Sequence, residues 1–125
     1  MREIIETKNA PAPIGPYSQG LRANGFLFIS GQIPARPDTG DVVEGGIEEQ
    51  TRQVMKNLSA VLKAAGAGPG NVVKTTVFLT NLDDFSRFNQ VYGEYFAEIK
   101  PARSTVQVAG LPKGVLLEVE AIAAV

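Results

Sequence analysis

Two strand-like runs decide the fold of this chain: PARSTVQV at residues 101–108 and, after a turn rich in glycine and proline, LLEVEAIAA at residues 116–124. Both runs are rich in β-branched and apolar side chains, which favour strands. Each run also contains a charge in apolar surroundings, Arg103 in the first and Glu118 in the second. A charge buried there needs a partner, a ligand or a change of protonation. These two residues are therefore the first candidates for function.

The composition fits one soluble globular domain spanning residues 1–125. Apolar residues make up 44% of the chain and charged residues 20%, with a net charge of −1. This balance is typical of a chain that folds around one core. The twelve basic residues are spread along the chain among thirteen acidic ones. Because nucleic-acid-binding modules usually carry a basic face, the distribution argues against a nucleic-acid partner.

The chain contains neither cysteine nor histidine. This excludes disulfides, a thiol nucleophile, Ser-His-Asp chemistry, the usual zinc sites and the histidine pair of a typical ribonuclease. We therefore expect no metal and no cofactor. The first six residues contain no long apolar run, and no segment is long enough to span a bilayer, so we expect no membrane partner and a cytoplasmic protein.

The first part of the chain predicts a short strand, an arm and a hairpin. Ile4-Ile5 suits a strand, whereas residues 9–16 contain three prolines, which block a helix and favour an extended arm. Tyr17 follows the arm, either as a packing anchor or as the wall of a pocket. Within Ser18–Ile29, Asn24-Gly25 separates two strand-like runs and is the pair that a type I′ hairpin turn favours.

The second strand of this hairpin leads into a candidate ligand contact. Phe26–Ile29 is continuously apolar, which predicts a strand covered on both faces. Ser30-Gly31 follows, where the backbone N–H groups could approach a ligand closely or form an ordinary turn. Residues 36–46 are polar and rich in glycine and aspartate, which is typical of a surface loop.

Two helices and one strand are predicted in the middle of the chain. Apolar spacing over Ile47–Ala65 predicts a helix that Gly66 ends, and the β-branched residues of Asn71–Thr80 predict a central strand. A second helix is expected to start near Asn81–Asp84 and to run to about Ile99. Its predicted buried stripe consists of Phe85, Phe88, Tyr92, Tyr95, Phe96 and Ile99.

Asn89 lies on the edge of this stripe, where its amide would need hydrogen-bond partners. We interpret Asn89 first as a structural residue and second as a contact to a ligand or subunit.

The order β-β-β-α-β-α-β-β predicts an α+β fold, a mixed sheet with two helices on one face. The last two strands are expected at Arg103–Val108 and Leu116–Ala124. Alternation in the last strand places Glu118 and Glu120 together on one face and its apolar residues on the other. The sheet face without helices must be covered by something else. Association with a second copy is the simplest solution, which predicts an oligomer with sites between subunits.

Arg103 and Glu118 together suggest a chemistry. The planar guanidinium of arginine can hold a carboxylate by two parallel hydrogen bonds, and a second carboxylate can act as a base toward water. Arg103 would then orient a small acid while Glu118 delivers water to a nearby electrophilic carbon. The alternative is that the two residues form an ion pair within or between subunits.

Five separated blocks resemble the motifs of the RidA family, the reactive intermediate/imine deaminases, and they occur in the family's order. The blocks are Ile14–Gly20 (IGPYSQG), Ser30–Pro34 (SGQIP), Val73–Leu79 (VKTTVFL), Pro101–Ser104 (PARS) and Leu117–Ala123 (LEVEAIA). The resemblance spans essentially the whole chain.

The resemblance implies a chorismate-mutase-like α+β fold and a barrel-like homotrimer with three clefts at the subunit interfaces. It also implies hydrolysis of 2-imino or enamine acids, such as 2-iminobutanoate and 2-iminopropanoate, to 2-keto acids and ammonia. Such imines are released by pyridoxal-phosphate-dependent dehydratases. By resemblance, Arg103 would bind the substrate carboxylate, Glu118 would position or activate water, Tyr17 would wall the cleft, Ser30 and Gly31 would contact the ligand, and Asn89 would support the site.

Thr105 departs from the family pattern, since many members have cysteine two residues after the arginine. A threonine excludes thiol chemistry and oxidative control, but its hydroxyl can still contact water or the ligand. Two other functions stay open. A non-catalytic binder or sensor of small carboxylates would need Arg103 but not Glu118, and a ribonuclease or translation inhibitor ranks third. Which of Glu118 and Glu120 handles the water is also open.

Overall fold

The computed structural model describes residues 2–125, and Met1, the first residue of the predicted domain, lies outside them. The elements follow the predicted order β-β-β-α-β-α-β-β. The six strands form one sheet. The strands are β1 (Arg2–Ile5), β2 (Gly20–Ala23), β3 (Phe26–Gln32), β4 (Val72–Leu79), β5 (Ala102–Gln107) and β6 (Leu117–Ala124), and the α-helices are α1 (Ile47–Ala64) and α2 (Phe85–Phe96).

The sheet is mixed, as predicted, with the strand order β1-β2-β3-β6-β4-β5. Only β4 and β5 are parallel, and every other neighbouring pair is antiparallel. The last strand, β6, lies in the middle between β3 and β4, whereas β5 lies at an edge. The two charged strands of the sequence are therefore separated by β4.

The predicted hairpin is confirmed at the β2–β3 turn. Asn24 and Gly25 both have positive φ angles, 51° and 80°, as a type I′ turn requires. Further along β3, the register against β6 shifts between Ile29 and Gln32. A bulge of this kind changes the direction of the side chains and backbone around it. Here it falls on Ser30-Gly31, the proposed ligand contact.

Both helices pack on one face of the sheet, which confirms the predicted layering. Helix α1 ends at Ala64, next to the predicted end, and Gly66 follows with a φ of +76°. No helix within residues 2–125 is long and apolar enough to cross a membrane. The shared core includes Leu27, Val54, Leu58, Val61, Val77, Phe88, Leu117 and Val119, each at most 2% exposed.

Helix α2 is shorter than predicted. A 3-10 turn at Leu82–Asp84 precedes it, with Asn81 Oδ1 accepting from the Asp83 N–H. The predicted end near Ile99 is wrong, because the helix ends at Phe96 and the chain turns through Lys100, which has a φ of +52°. Ile99 is consequently 36% exposed, and Val91 takes a buried place that the predicted stripe omitted.

Within residues 2–125 the other face of the sheet carries no helix, so a single chain covers Phe26–Ile29 on one face only. Leu27 and Ile29 point into the core, whereas Phe26 and Phe28 are 42% and 44% exposed. Strand alternation causes this difference, because neighbouring residues point to opposite faces and only one face meets the helices. We call the other side the open face. It includes Phe26, Phe28, Phe78, Glu118, Glu120 and Ile122, as alternation and strand register indicate.

Candidate functional site

Arg103 lies on the helix-covered side of the edge strand β5. Its register partner on β4 is Thr75, which is completely buried against the helices. The Arg103 side chain is half-buried, and its Nη1 donates a hydrogen bond to Asn89 Oδ1 at 2.8 Å. Asn89 therefore holds the guanidinium directly. The hydrogen-bond partner that its side-chain amide was expected to need is the charged Arg103.

Three aromatic rings of α2 surround the same guanidinium. The Arg103 Cζ atom lies 4.8 Å from the ring centroid of Tyr92, 5.5 Å from that of Phe85 and 5.8 Å from that of Phe88. Ring faces at these distances attract a cation electrostatically. The helical spacing identified these residues as core, which holds for Phe88 and Tyr92. It could not show their contact with Arg103, because that contact depends on where β5 packs.

The Arg103 charge has no carboxylate partner within residues 2–125. The ion pairs there use other arginines, namely Arg22 with Glu3, Arg52 with Glu94 and Arg87 with Asp84. An ion pair between Arg103 and Glu118 of the same chain is therefore wrong, whereas an ion pair between subunits stays a prediction. The guanidinium is held by an amide and by ring faces, which leaves its charge available to an anion.

Glu118 lies in the middle of the sheet on the open face, next to Phe78 of β4. Glu120 lies on the same face, as alternation predicted, and is more exposed than Glu118. Burial raises the pKa of the Glu118 carboxyl above its usual value, and the nearby charge of Glu120 raises it further. Glu118 is thus a candidate for accepting and returning a proton.

Gly31 is required by the position of the Glu118 side chain. A Cβ atom at residue 31 would lie 2.8 Å from Glu118 Cδ and 3.0 Å from its Cγ, so no larger residue fits without a shift. The glycine lies in the bulge of β3. Ser30-Gly31 therefore brings the backbone close to the Glu118 carboxyl, and its contact with a ligand stays a prediction.

Ser30 and Tyr17 lie beside this bulge. Ser30 donates its N–H to Gln19 O at 3.0 Å and its hydroxyl to Ser18 O at 2.5 Å. Tyr17 is 52% exposed, and its hydroxyl accepts the Ile14 N–H at 3.3 Å. Tyr17, Ser18, Phe28, Ile29 and Ser30 line a shallow cavity of about 340 Å³. Tyr17 is thus exposed and lines this cavity, and its contact with a ligand stays a prediction.

Gln19 holds the arm that precedes Tyr17, a structural role that sequence reasoning missed. Its side chain, in a residue only 3% exposed, accepts the Thr7 N–H at 2.7 Å. Its Nε2 lies 3.0 Å from Thr7 O, 3.2 Å from Ala10 O and 2.8 Å from Pro11 O. A polar residue inside an otherwise strand-like run was the available signal. Gln19 ties the proline-rich arm to the strand that follows Tyr17.

Thr105 lies two residues after Arg103, on the same side of β5. Its Oγ1 atom is buried and makes no hydrogen bond within the part of the chain that the structure describes. A buried hydroxyl without a partner is costly. The hydroxyl can therefore serve a ligand or water bound beside Arg103.

The predicted site residues form two groups that one chain does not bring together. We call Asn89, Arg103 and Thr105 the arginine half-site, and Tyr17, Ser30, Gly31 and Glu118 the glutamate half-site. Asn89 and Arg103 line a depression of about 440 Å³ on the helix side, whereas Glu118 lies on the open face. Within residues 2–125, no group of three or more histidine, cysteine, aspartate or glutamate side chains could hold a metal ion.

Comparisons with known proteins agree on one family. Residues 7–125 match the family model described as endoribonuclease L-PSP. A RutC family protein of Pyrococcus horikoshii is 57% identical over 123 residues, covering 98% of both chains. The human protein named 2-iminobutanoate/2-iminopropanoate deaminase is 47% identical over 123 residues, covering 98% of this chain and 90% of the relative.

Solved structures give the same result. The Rid-family protein YyfA from Yersinia pestis is 57% identical, with a TM-score of 0.97 and full coverage of both chains. TdcF from E. coli with bound serine is 47% identical, with a TM-score of 0.93 over 98% of each chain. The α+β fold expected from the resemblance is thereby confirmed. This chain belongs to the Rid family, whose sequence model carries the description endoribonuclease L-PSP.

Proposed function

We propose that the protein hydrolyses 2-imino acids and their enamine tautomers to 2-keto acids and ammonia, with 2-iminobutanoate and 2-iminopropanoate as substrates. The observation that carries the proposal is the state of Arg103. Its guanidinium is fixed by Asn89 and by aromatic rings, and within residues 2–125 it has no carboxylate partner. A small carboxylate is the ligand that this arrangement fits.

The complete site is proposed to form between copies in a homotrimer. Arg103 and Glu118 lie on opposite faces of one sheet, so one chain cannot present both to the same small molecule. The exposed Phe26 and Phe28 make the open face suited to burial against another protein surface. In this assembly, the arginine half-site of one protomer would meet the glutamate half-site of its neighbour.

The proposed reaction needs one group that binds the substrate carboxylate and one general base. Arg103 binds the carboxylate of the protonated imine and orients its C=N carbon. The Glu118 carboxylate takes a proton from water as the water oxygen bonds to that carbon, and the C=N π electrons move to nitrogen. Glu118 then gives the proton to the nitrogen of the tetrahedral carbinolamine. The C–N bond breaks, ammonia leaves, and the hydroxyl proton passes to solvent as the ketone forms.

The perturbed Glu118 suits this double role. A carboxyl whose pKa is raised by burial is a stronger base when ionised, and it returns the proton less readily to solvent than to a bound amine. A partner's guanidinium in the same cleft would lower this pKa, but the clamped substrate carboxylate would offset that positive charge. We therefore expect the raised pKa of Glu118 to matter most in the complex with substrate.

The names of relatives support this activity unevenly. The human relative, 47% identical, carries the imine deaminase name, whereas the 57% identical relative from Pyrococcus horikoshii is named only as a RutC family protein. The functional link to pyridoxal-phosphate enzymes belongs to the same proposal, since elimination reactions on amino acids release enamines and imines of this class.

A non-catalytic binder of small carboxylates is the second candidate. It is favoured by TdcF, a relative whose solved structure holds serine, a small molecule with a carboxylate. Such a binder would use Arg103 without Glu118. The description endoribonuclease supports RNA cleavage only by name, and the chain has neither histidine nor a surplus of basic residues. Ribonuclease activity therefore stays third.

The deciding experiment generates 2-iminobutanoate in situ with a dehydratase and follows formation of 2-oxobutanoate. We expect the protein to accelerate ammonia release, Arg103→Ala to lose about 100-fold in kcat/KM together with carboxylate binding, and Glu118→Gln to lose about 100-fold or more in kcat while binding persists. Arg87→Ala, an exposed arginine on the same helix as Asn89, is the matched control and is expected to act like wild type.

Each alternative gives a different outcome. Keto-acid formation no faster than the spontaneous rate, combined with Arg103-dependent binding of 2-oxobutanoate, would favour the binder. Full turnover by Glu118→Gln would remove Glu118 from the mechanism. The same preparation is also tested on a single-stranded RNA. Cleavage that Arg103→Ala abolishes and Arg87→Ala does not would support ribonuclease activity.

A further inference from the structure

We propose that Thr75 and Tyr92 are positioning residues for Arg103, and that their hydrogen bond fixes the aromatic face on which the guanidinium rests. The inference rests on the proposed function, in which Arg103 clamps the substrate carboxylate. Tyr92 Oη lies 2.7 Å from Thr75 Oγ1, and either hydroxyl can donate. The Tyr92 ring centroid is also the aromatic centroid nearest to Arg103 Cζ, at 4.8 Å.

The topology explains why these three residues meet. Thr75 on β4 and Arg103 on β5 are direct register partners in the parallel pair, so their side chains point to the same side of the sheet. Helix α2 packs on that side and places Tyr92 over both of them. Thr75 is 0% exposed and Tyr92 is 7% exposed. The tyrosine thus joins a fully buried hydroxyl to the edge of the sheet where ligand is proposed to bind.

Packing alone does not require the tyrosine hydroxyl. The ring already contacts Phe88 and Phe96, with centroid separations of 5.3 Å and 4.9 Å, so a phenylalanine at this position would fill the same apolar space. What the hydroxyl adds is a fixed direction, because a hydrogen bond between two buried groups restrains the ring. Each hydroxyl would otherwise be buried without a partner.

A fixed ring prepares Arg103 for its ligand. Asn89 occupies Nη1 from one side and the Tyr92 face lies beneath the guanidinium, so the side chain is held before any carboxylate arrives. Ordering a long, flexible side chain in advance reduces the cost of binding. In the proposed mechanism, Arg103 binds the substrate carboxylate equally well in the ground state and in the transition state. Loss of the positioning contact should therefore raise KM and leave kcat nearly unchanged.

The test uses Tyr92→Phe, Thr75→Val and the double variant in the full-length protein. We expect each single variant to raise KM for 2-iminobutanoate and Kd for 2-oxobutanoate by about 5- to 10-fold with kcat within about 2-fold. The double variant should be no worse than the singles, because both remove the same hydrogen bond. Thr51→Val is the matched control, since Thr51 is also 0% exposed but its hydroxyl bonds to Ile47 O within α1.

Two readouts separate this inference from the proposed activity. Calorimetric binding of 2-oxobutanoate needs no turnover. The Arg103 Nε–Hε NMR resonance needs no ligand, and the Tyr92 ring 4.8 Å from Arg103 Cζ is expected to shift it. We expect this resonance to move in Tyr92→Phe and Thr75→Val but not in Thr51→Val. If wild type binds 2-oxobutanoate without hydrolysing imines, the proposed activity fails while the positioning role is still measured by Kd.

Several results would overturn the positioning role itself. Unchanged Kd and an unmoved Arg103 resonance in both single variants would do so. An equal loss of affinity in Thr51→Val would reduce the effect to general destabilisation, and additive losses in the double variant would show that the two residues act separately. If wild type does not bind 2-oxobutanoate, Arg103 does not bind a small carboxylate, and the positioning role of Thr75 and Tyr92 fails with it.

Discussion

At the scale of single residues, the Glu118 carboxylate has two neighbours with opposite effects. Gly31 admits it by lacking a side chain, whereas the charge of Glu120 opposes its ionisation. Replacing Glu120 with glutamine removes the like charge, so the pKa of Glu118 should fall. Because a general base must be ionised, turnover declines as pH drops through this pKa. Glu120→Gln should therefore move the acidic limb of the kcat/KM profile to lower pH.

The measurement is a pH series of imine hydrolysis for wild type and Glu120→Gln. Glu98→Gln provides the control, since Glu98 is an exposed residue just beyond α2. An acidic limb that stays in place or moves to higher pH would contradict the assignment. Loss of turnover in Glu120→Gln, combined with full activity in Glu118→Gln, would exchange the roles of the two glutamates.

At the scale of elements, the proline-rich arm depends on one side chain. Gln19 bonds to the backbone of Thr7, Ala10 and Pro11 from a buried position. Gln19→Leu would leave these backbone groups without partners, which costs about 1–3 kcal/mol for each buried group. We expect a lower Tm, and cleavage by trypsin after the exposed Lys8 at a rate at least about 10-fold higher, because opening of the arm governs access.

The control for the arm is Gln90→Leu, which changes an exposed glutamine on α2. Both variants are digested under native conditions and the cleavage at Lys8 is followed by mass spectrometry. Equal cleavage rates in wild type and Gln19→Leu would mean that the arm is held by its prolines and by contacts other than Gln19.

Local signals explain which elements could be predicted from the sequence. The Asn24-Gly25 turn, helix α1 and the alternation of β6 depend on neighbouring residues, and each was found where predicted. The end of α2 was not, because the helix ends at Phe96 and the chain then turns through Lys100, whose φ is +52°.

The residues of the candidate site could be named from the sequence, but their arrangement could not. Alternation shows that Glu118 and Glu120 share a face, yet the face that carries Arg103 depends on how β5 pairs with β4. That pairing joins segments about thirty residues apart and leaves no local pattern. The ring contacts of Arg103 and the hydrogen bonds of Gln19 stayed hidden for the same reason.

At the scale of the whole molecule, the separation of the two half-sites predicts complementation between defective chains. Arg103→Ala keeps an intact glutamate half-site, and Glu118→Gln keeps an intact arginine half-site. In a ring of three, every mixed trimer rebuilds one complete site, so equal mixing should restore about a quarter of the wild-type sites.

The two variants are unfolded together, refolded as a mixture and assayed against each variant refolded alone. Sedimentation confirms that the assembly is the same in all samples. Activity that stays at the level of the separate variants would place both residues in one chain's site, and a monomer at micromolar concentration would remove the shared cleft.

The exposed phenylalanines of the open face also bear on how a newly made chain survives. Phe26 and Phe28 stay uncovered after one protomer has folded, so the finished monomer still displays the kind of surface that chaperones and proteases recognise. If the proposed trimer forms, meeting other copies is the last step of maturation, and its speed depends on the rate of synthesis. A cell that makes few chains would lose a larger fraction of them to degradation, and the amount of working protein would rise more steeply than the amount of message.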